Sequence, residues 1–217
     1  MHKDKRFDAL ENYVKDKFQN EGTGHDWYHI ERVIKLSVFI AEKEGASADL
    51  VYLTALLHDI NDHKFNGGDF EANRKSAQKL LEQHNFEKEI ISLVTKAIDE
   101  ISFKGNQVKD SNTTEISKIV QDADRLDAIG AIGIARTFAY GGSIDQPIYD
   151  PEIPPAKHDT KEAYFNARTH TINHFYEKLL LLKDRMHTKT AKKIAEKRHQ
   201  IMDSFLKDFY SEWKFLE

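Results

Sequence analysis

Leu53-Thr54-Ala55-Leu56-Leu57-His58-Asp59-Ile60-Asn61-Asp62 begins as an apolar helix and ends with an imidazole beside two carboxylates. The apolar residues at helical spacing are Leu50, Leu53, Leu57 and Ile60. This spacing predicts a core helix, where ionisable groups are costly unless they are paired, hydrogen-bonded or bound to a metal. The stretch therefore favours a buried divalent cation with His58 and Asp59 as ligands. The alternative is a helix C-terminus where the imidazole meets the helix dipole and the carboxylate is solvated.

The composition limits the class of protein and the kind of metal site. The 217 residues suffice for one domain with a sizeable core, or at most two small ones. Lys and Arg total 32 against 36 Asp and Glu, which argues against a dedicated nucleic-acid binder. The absence of cysteine excludes disulfides, a thiolate nucleophile and a zinc-thiolate site. Any metal must be held by His and carboxylates, which suit Mn²⁺, Fe²⁺, Mg²⁺, Ni²⁺ or Zn²⁺.

The N-terminus is charged over residues 1–6 and runs straight into an amphipathic helix. It shows no apolar signal-peptide block, and the chain shows no membrane span. We therefore expect a soluble cytoplasmic protein without a membrane partner.

Apolar periodicity predicts an all-α chain folded as one domain over residues 1–217, without strand alternation. Gly45 is expected to close the second helix, and Ser47 to cap the third, which carries the opening stretch. The apolar positions of the first, second, fourth and fifth helices are Phe7, Leu10, Val14 and Phe18; Ile30, Val33, Ile34, Val38 and Ala41; Phe70, Ala77, Leu80 and Leu81; and Ile90, Leu93, Val94, Ala97, Ile98 and Ile101.

A sixth helix is predicted to end as the third does, with carboxylates. Its apolar positions are Ile116, Ile119, Val120 and Ala123. Asp124 falls four residues after Val120 on the apolar stripe, whereas Asp122 falls on the opposite side. A carboxylate on a core stripe is unusual. An N-cap or an inter-helix hydrogen bond would explain one aspartate, but hardly the repeated pattern.

The last part of the chain is predicted to hold an irregular segment and two long helices. Periodicity fails from Gly141 to Thr160, where all four prolines lie. Because long irregular segments are uncommon, we expect a functional lid or an ordered surface excursion; a disordered insert is the alternative. Thr188 is expected to cap the final helix. The apolar positions of the two helices are Ile172, Phe175, Leu179, Leu182 and Met186; and Ile194, Ile201, Phe205, Phe209 and Trp213.

An H…HD…D pattern is formed by His29, His58, Asp59 and Asp124. Each lies at a helix end or in a first turn, so the ligands would meet at the mouth of the core. For the first histidine, packing with a backbone hydrogen bond is the alternative. With residues 24–29 and 122–127 as context, the pattern resembles the HD-domain phosphohydrolase superfamily, particularly its small single-domain bacterial branch of YedJ- and YpgQ-like proteins. The resemblance covers nearly the whole chain, including residues 173–180 and 198–199.

The resemblance implies an HD-type helical bundle with one divalent cation, for which Mn²⁺ is our first choice, held by those four residues. It also implies that Asp62 matches an acidic residue that assists attack by water. This chain has Asp62-His63 where some relatives have Glu-Asp. His63 is therefore the next candidate for proton transfer.

A phosphate substrate requires fixed positive charge near the metal. Arg125 is the first candidate because it adjoins a proposed ligand. Solvated surface cations, or polar and packed histidines, are the alternatives for every candidate. The remaining candidates are Arg136, Lys104, Lys178 and Lys183, with His25, His63 and His174 as further phosphate contacts or supporting residues.

Three functions follow from these patterns and the resemblance. The first is hydrolysis of nucleoside triphosphates to monophosphates and pyrophosphate. The second is a 5′-nucleotidase or cyclic-nucleotide phosphodiesterase at the same site, and the third is a non-catalytic nucleotide-sensing module. The expected partner is a small nucleotide rather than nucleic acid, and a homodimer is left open.

Overall fold

A computed structural model describes residues 4–19, 26–61, 71–101, 112–156 and 169–215. All regular structure within these ranges is helical, which confirms the predicted all-α class. The helices are α1 Lys5–Phe18, α2 Trp27–Glu44, α3 Ala48–Leu57, α4 Glu71–Gln83, α5 Lys88–Ile101, α6 Glu115–Asp127, α7 Gly130–Ser143, α8 Thr171–Glu177, a 3₁₀ helix at Leu179–Arg185, and α9 Lys189–Trp213. None of the helices in these ranges is long and apolar enough to cross a bilayer.

The described residues fall into two compact units, the first ending at Ala123 within α6 and the second beginning at Asp124. The assignment of residues 1–217 to one domain stays a prediction. In the first unit, α3 packs against α1, α2 and α5, and α4 packs against α5. Residues 51–57 of α3 are all buried, so this part of the helix is enclosed on every side. The predicted core helix is thus confirmed, and His58 stands at its C-cap.

The helix ends of the first unit agree with the sequence signals except at the cap of α3, and the buried face of α5 differs from the predicted one. Gly45 closes α2 with a φ of 81°, a left-handed conformation that glycine adopts without strain. Ser47 occupies the N-cap position of α3, but its side chain makes no capping bond. In α5 the buried stripe includes Ile91 and not Leu93, which is 38% exposed, because α5 packs with a face rotated from the predicted one.

Glu100 fixes the N-terminus of α6 within the first unit. Its carboxylate accepts hydrogen bonds from the Ser117 hydroxyl at 2.6 Å and from the Thr113 and Thr114 amides at 3.0 and 3.2 Å. Burial alone would raise the pKa of Glu100, but these hydrogen bonds outweigh it and lower the pKa to about 2. The negative charge also lies at the positive end of the helix dipole.

We expect Glu100→Ala to lower the free energy of unfolding by about 1–2 kcal/mol near neutral pH, because these hydrogen bonds are lost. The loss is moderate because the residue is partly solvated. Because the folded-state pKa is depressed, this contribution is complete above the ordinary value of 4.5 and disappears as pH falls towards 2. Urea unfolding at pH 7 and at pH 3 measures both effects. The exposed Glu42→Ala is the control, and an equal loss in both variants would contradict the assignment.

The buried surface of α6 differs from the predicted stripe. Asp122 is fully buried, whereas Asp124 is only half-buried. The expectation that Asp122 lies on an outer face is therefore wrong. The physical reason is that α6 is enclosed on nearly all sides, so an amphipathic stripe does not describe it.

In the second unit, α7 packs against α8 and α9, and α9 packs against the 3₁₀ helix. The predicted long helix through Ile172 and Met186 is wrong. Its backbone breaks at Lys178, with φ −142° and ψ −58°, into α8 and the 3₁₀ helix. The last helix is confirmed, with the Thr188 hydroxyl accepting from the Ala191 amide at 3.1 Å.

The prediction of the core face of α9 is partly wrong. Ile201 and Trp213, predicted on the apolar face, are 46% and 49% exposed. The buried residues of α9 are Ala191, Ala195, Met202 and Leu206. Two of these four are alanines, which the prediction from large apolar side chains did not include.

The irregular segment begins three residues later than predicted, because α7 continues through Gly141 to Ser143. A Cβ on Gly141 would lie 2.4 Å from the Thr171 hydroxyl, so glycine allows the close approach of α7 and α8. Residues 144–156 are irregular and bonded to α8: the Thr171 amide donates to Pro147 O at 2.9 Å, and the Asn173 side chain donates to Ile153 O at 3.1 Å. Residues 157–160 lie outside the described ranges, and the lid stays a prediction.

Candidate metal centre

Two helix ends of the first unit place the candidate ligands. His29 lies in the first turn of α2, where its backbone amide donates to the Oδ1 of the N-cap Asp26 at 2.8 Å. His58 and Asp59 lie directly after the last residue of α3. Both imidazoles are buried, and the side chain of Asp59 is 13% exposed. The three side chains therefore meet below the surface with one accessible side.

The three candidate ligand atoms lie within 4.8 Å of one another. Asp59 Oδ2 is 3.7 Å from His29 Nε2 and 3.5 Å from His58 Nε2. The two imidazole rings are 5.5 Å apart and inclined at 63°. Ligand atoms at ~2.1 Å from one cation are separated by roughly 3.0–3.5 Å, so small adjustments would close this cluster around an ion.

The tautomer of His58 suits metal binding. Its Nδ1 lies 2.7 Å from the Ala55 carbonyl oxygen, which can only accept, so the neutral ring carries its proton on Nδ1. The Nε2 lone pair then faces the cluster, where it is buried and has no hydrogen-bond partner among the described residues. A backbone carbonyl that orients a ligating imidazole through its other nitrogen is the usual arrangement around metals. Two imidazoles and a carboxylate therefore fit a transition-metal cation better than Mg²⁺.

The turn that carries these ligands is held from two sides. Asn73 on α4 donates from Nδ2 to the His58 carbonyl and accepts the Asn61 amide on Oδ1 at 2.9 Å. Lys17 on α1 donates to the Ile60 carbonyl at 2.6 Å, and burial lowers the pKa of this lysine. Sequence reasoning missed both residues. The usable signal was Asn73 itself, a polar residue four positions before the buried Ala77.

The other predicted metal and catalytic residues are not part of the described cluster. Asp124 lies in α6 and belongs to the second unit. Its role as a fourth ligand stays a prediction. The proposed catalytic residues Asp62 and His63 lie outside the described residues, as do the proposed phosphate contacts His25 and Lys104.

The arginines proposed to bind phosphate have partners in the second unit. Arg125 is buried and donates to the Arg185 carbonyl oxygen at the end of the 3₁₀ helix. Arg136 forms an ion pair with the buried Asp127 at 2.8 Å. Each arginine thus has a structural contact, and phosphate binding by either stays a prediction.

The remaining candidate cations also lie in the second unit. Lys183 is 3.5 Å from Glu196, and Lys178 stands at the break between α8 and the 3₁₀ helix. Burial, assisted by the charge of Lys178, lowers the pKa of His174 to about 3. At neutral pH, His174 is therefore uncharged and offers a phosphate no positive charge.

The chain resembles known proteins over nearly its full length. Residues 26–129 match the family model of the HD domain. YpgQ of Bacillus subtilis is 37% identical over 94% of this chain and 91% of its own length. A crystal structure of that protein in complex with ADP has a TM-score of 0.76 at 32% identity, covering 97% of this chain and 100% of that chain.

Two further solved structures share the fold. An HD-superfamily hydrolase from Bacillus thuringiensis is 40% identical, with a TM-score of 0.75 and coverage of 97% of each chain. A protein from Lactobacillus plantarum is 35% identical, with a TM-score of 0.83 and coverage of 99% of each chain. At these identities and coverages the agreement extends beyond the general helical architecture.

Proposed function

This chain belongs to the HD-domain family of hydrolases as a relative of YpgQ, and we propose that it hydrolyses nucleoside triphosphates to monophosphates and pyrophosphate. The observation that carries the proposal is the buried cluster of His29, His58 and Asp59, whose donor atoms converge. A divalent cation held there would polarise a phosphoryl oxygen and lower the pKa of bound water. We propose Mn²⁺ as that ion and Asp124 as the fourth ligand.

The cluster residues have separate tasks in this proposal. Asp59 supplies the negative charge that offsets the cation, and its partial exposure leaves one side open towards solvent. His58, oriented by Ala55, supplies a neutral nitrogen with a fixed direction. We assign Asp62 to accept the proton of the attacking water, with His63 as the alternative, because the family resemblance matches Asp62 to an acidic residue that assists attack by water.

A nucleotide substrate is supported by the relative in complex with ADP. The base and ribose would distinguish a nucleotide from other phosphate esters, and the phosphates would require positive charge. We propose Arg125 and Arg136 first for that role, followed by Lys104, Lys178, Lys183 and His25. Residues 141–160, including the part bonded to α8, are proposed to border the substrate.

Product analysis tests the proposed reaction. The metal-free protein is incubated with Mn²⁺ and a panel of nucleoside tri-, di- and cyclic monophosphates, and the products are separated by ion chromatography. We expect monophosphate and pyrophosphate in equal amounts and no turnover with excess chelator. Release of orthophosphate and a nucleoside would indicate a 5′-nucleotidase instead. Opening of a cyclic nucleotide would indicate a phosphodiesterase. Binding without turnover under any metal would support a sensing module.

A further inference from the structure

The turn after α3 must be fixed by groups outside that helix. The last carbonyls of a helix lack partners within it, and here the last turn is followed at once by His58 and Asp59. A small rotation of the peptide group before or after Asp59 would move a ligand atom out of the cluster. The polar groups that contact this turn therefore bear on the geometry of the metal centre.

Asn73 contacts both ends of the turn at residues 58–61. Its side chain is buried, with 6% of the residue exposed. Its Nδ2 donates to the carbonyl of His58, and its Oδ1 accepts from the amide of Asn61. The two bonded peptide groups lie on either side of Asp59, so one planar side chain restrains the backbone before and after this carboxylate.

The side chain of Asn61 extends the same link to α4. Its Nδ2 donates to the Ser76 hydroxyl at 3.0 Å, three residues beyond Asn73. The turn is thereby attached to one face of α4 at two points. The contact from Lys17 reaches Ile60 from α1 and is independent of this attachment.

We propose that Asn73 is a positioning residue that sets the affinity of the metal centre for its divalent cation by restraining the turn at residues 58–61. The inference rests on the metal centre of the proposed function, but not on the substrate or the bond cleaved. An amide is required because the site uses one donor and one acceptor on a single group. A carboxylate would keep the acceptor for Asn61 and place an acceptor against the His58 carbonyl, and an apolar side chain would lose both bonds.

Metal affinity measured by calorimetry tests the proposal without any activity assay. The metal-free wild type, Asn73→Asp and Asn73→Leu are titrated with Mn²⁺. Outer partners of metal ligands contribute about 10- to 100-fold in affinity, so we expect weakening of about tenfold for Asp and about 100-fold for Leu. Gln78→Glu and Gln78→Leu on the same helix, where Gln78 bonds only to Glu82 in the described contacts, should bind as the wild type does.

Thermal unfolding in chelator distinguishes positioning from a structural role. A purely structural asparagine would lower the unfolding temperature of the metal-free protein and leave Mn²⁺ affinity unchanged. The isosteric Asn73→Asp carries the test if the leucine variant fails to fold. Affinity within twofold of the wild type in Asn73→Asp would overturn the inference and leave the metal centre intact. A wild type that binds no Mn²⁺ would overturn both.

Discussion

Replacing His58 with alanine is expected to abolish stoichiometric Mn²⁺ binding and nearly all hydrolysis. The buried Nε2 of His58 lies 3.5 Å from Oδ2 of Asp59, so its loss removes one of three converging ligand atoms. The affinity should fall by more than the roughly 10- to 100-fold that loss of an outer partner costs. Elemental analysis of the purified variant and a nucleotide turnover assay measure the two losses.

A matched histidine control is available in the same unit. His84 follows α4, and its Nδ1 contacts the Leu80 carbonyl oxygen at 2.8 Å, as His58 contacts Ala55, but it lies outside the cluster. His84→Ala should therefore keep both metal and turnover. Circular dichroism in chelator verifies that both variants remain helical. Full metal occupancy in His58→Ala would contradict the centre.

Replacing Asp62 with asparagine is expected to reduce kcat by roughly 100-fold or more while Mn²⁺ affinity stays near that of the wild type. This is the usual contribution of a general acid or base. Stopped-flow measurement of the chemical step separates this effect from product release.

The pH dependence of kcat gives a second test of Asp62. A carboxylate that accepts the proton produces an acidic limb in the wild-type profile, and Asp62→Asn should lose that limb. The exposed Asp16→Asn on α1 removes one negative charge elsewhere and should keep it. Normal turnover in Asp62→Asn would transfer the role to another group, and His63 would be tested next.

The amphipathic helices were predictable because their buried side chains are large and regularly spaced. In α1, Phe7, Leu10, Val14 and Phe18 are all buried, as the period requires. In α3 and α6, burial on nearly every side removes the contrast on which an amphipathic prediction depends. That is why the burial of Asp122 was missed although the extent of its helix was found.

The break at Lys178 could not be inferred from hydrophobic spacing. The leucines at positions 179–182 continue the helical period across the break, and the 3₁₀ helix buries Leu179 and Leu182 as an α-helix also could. The decisive contacts are non-local: α8 bonds to residues 147–156 through Thr171 and Asn173. Such bonds depend on chain segments that meet only in the folded protein.

The ligand residues of the cluster were predictable from the sequence, but the residues that hold their turn in place were not. His29, His58 and Asp59 stand out because ionisable residues at core positions need a partner. Lys17 carries no such signal, since a lysine on a helix is usually solvated. Asn73 carries only the weaker signal of its position four residues before the buried Ala77. Their contacts with the turn at residues 58–61 became visible only in the structure.

Anomalous scattering from crystals grown with Mn²⁺ tests the central claim most directly. We expect one strong anomalous peak at about 2.0–2.3 Å from Nε2 of His29, Nε2 of His58 and a carboxylate oxygen of Asp59. The peak should disappear in His58→Ala crystals and persist in His84→Ala crystals. A fully occupied Mn²⁺ bound elsewhere, with these three side chains unliganded, would contradict the account.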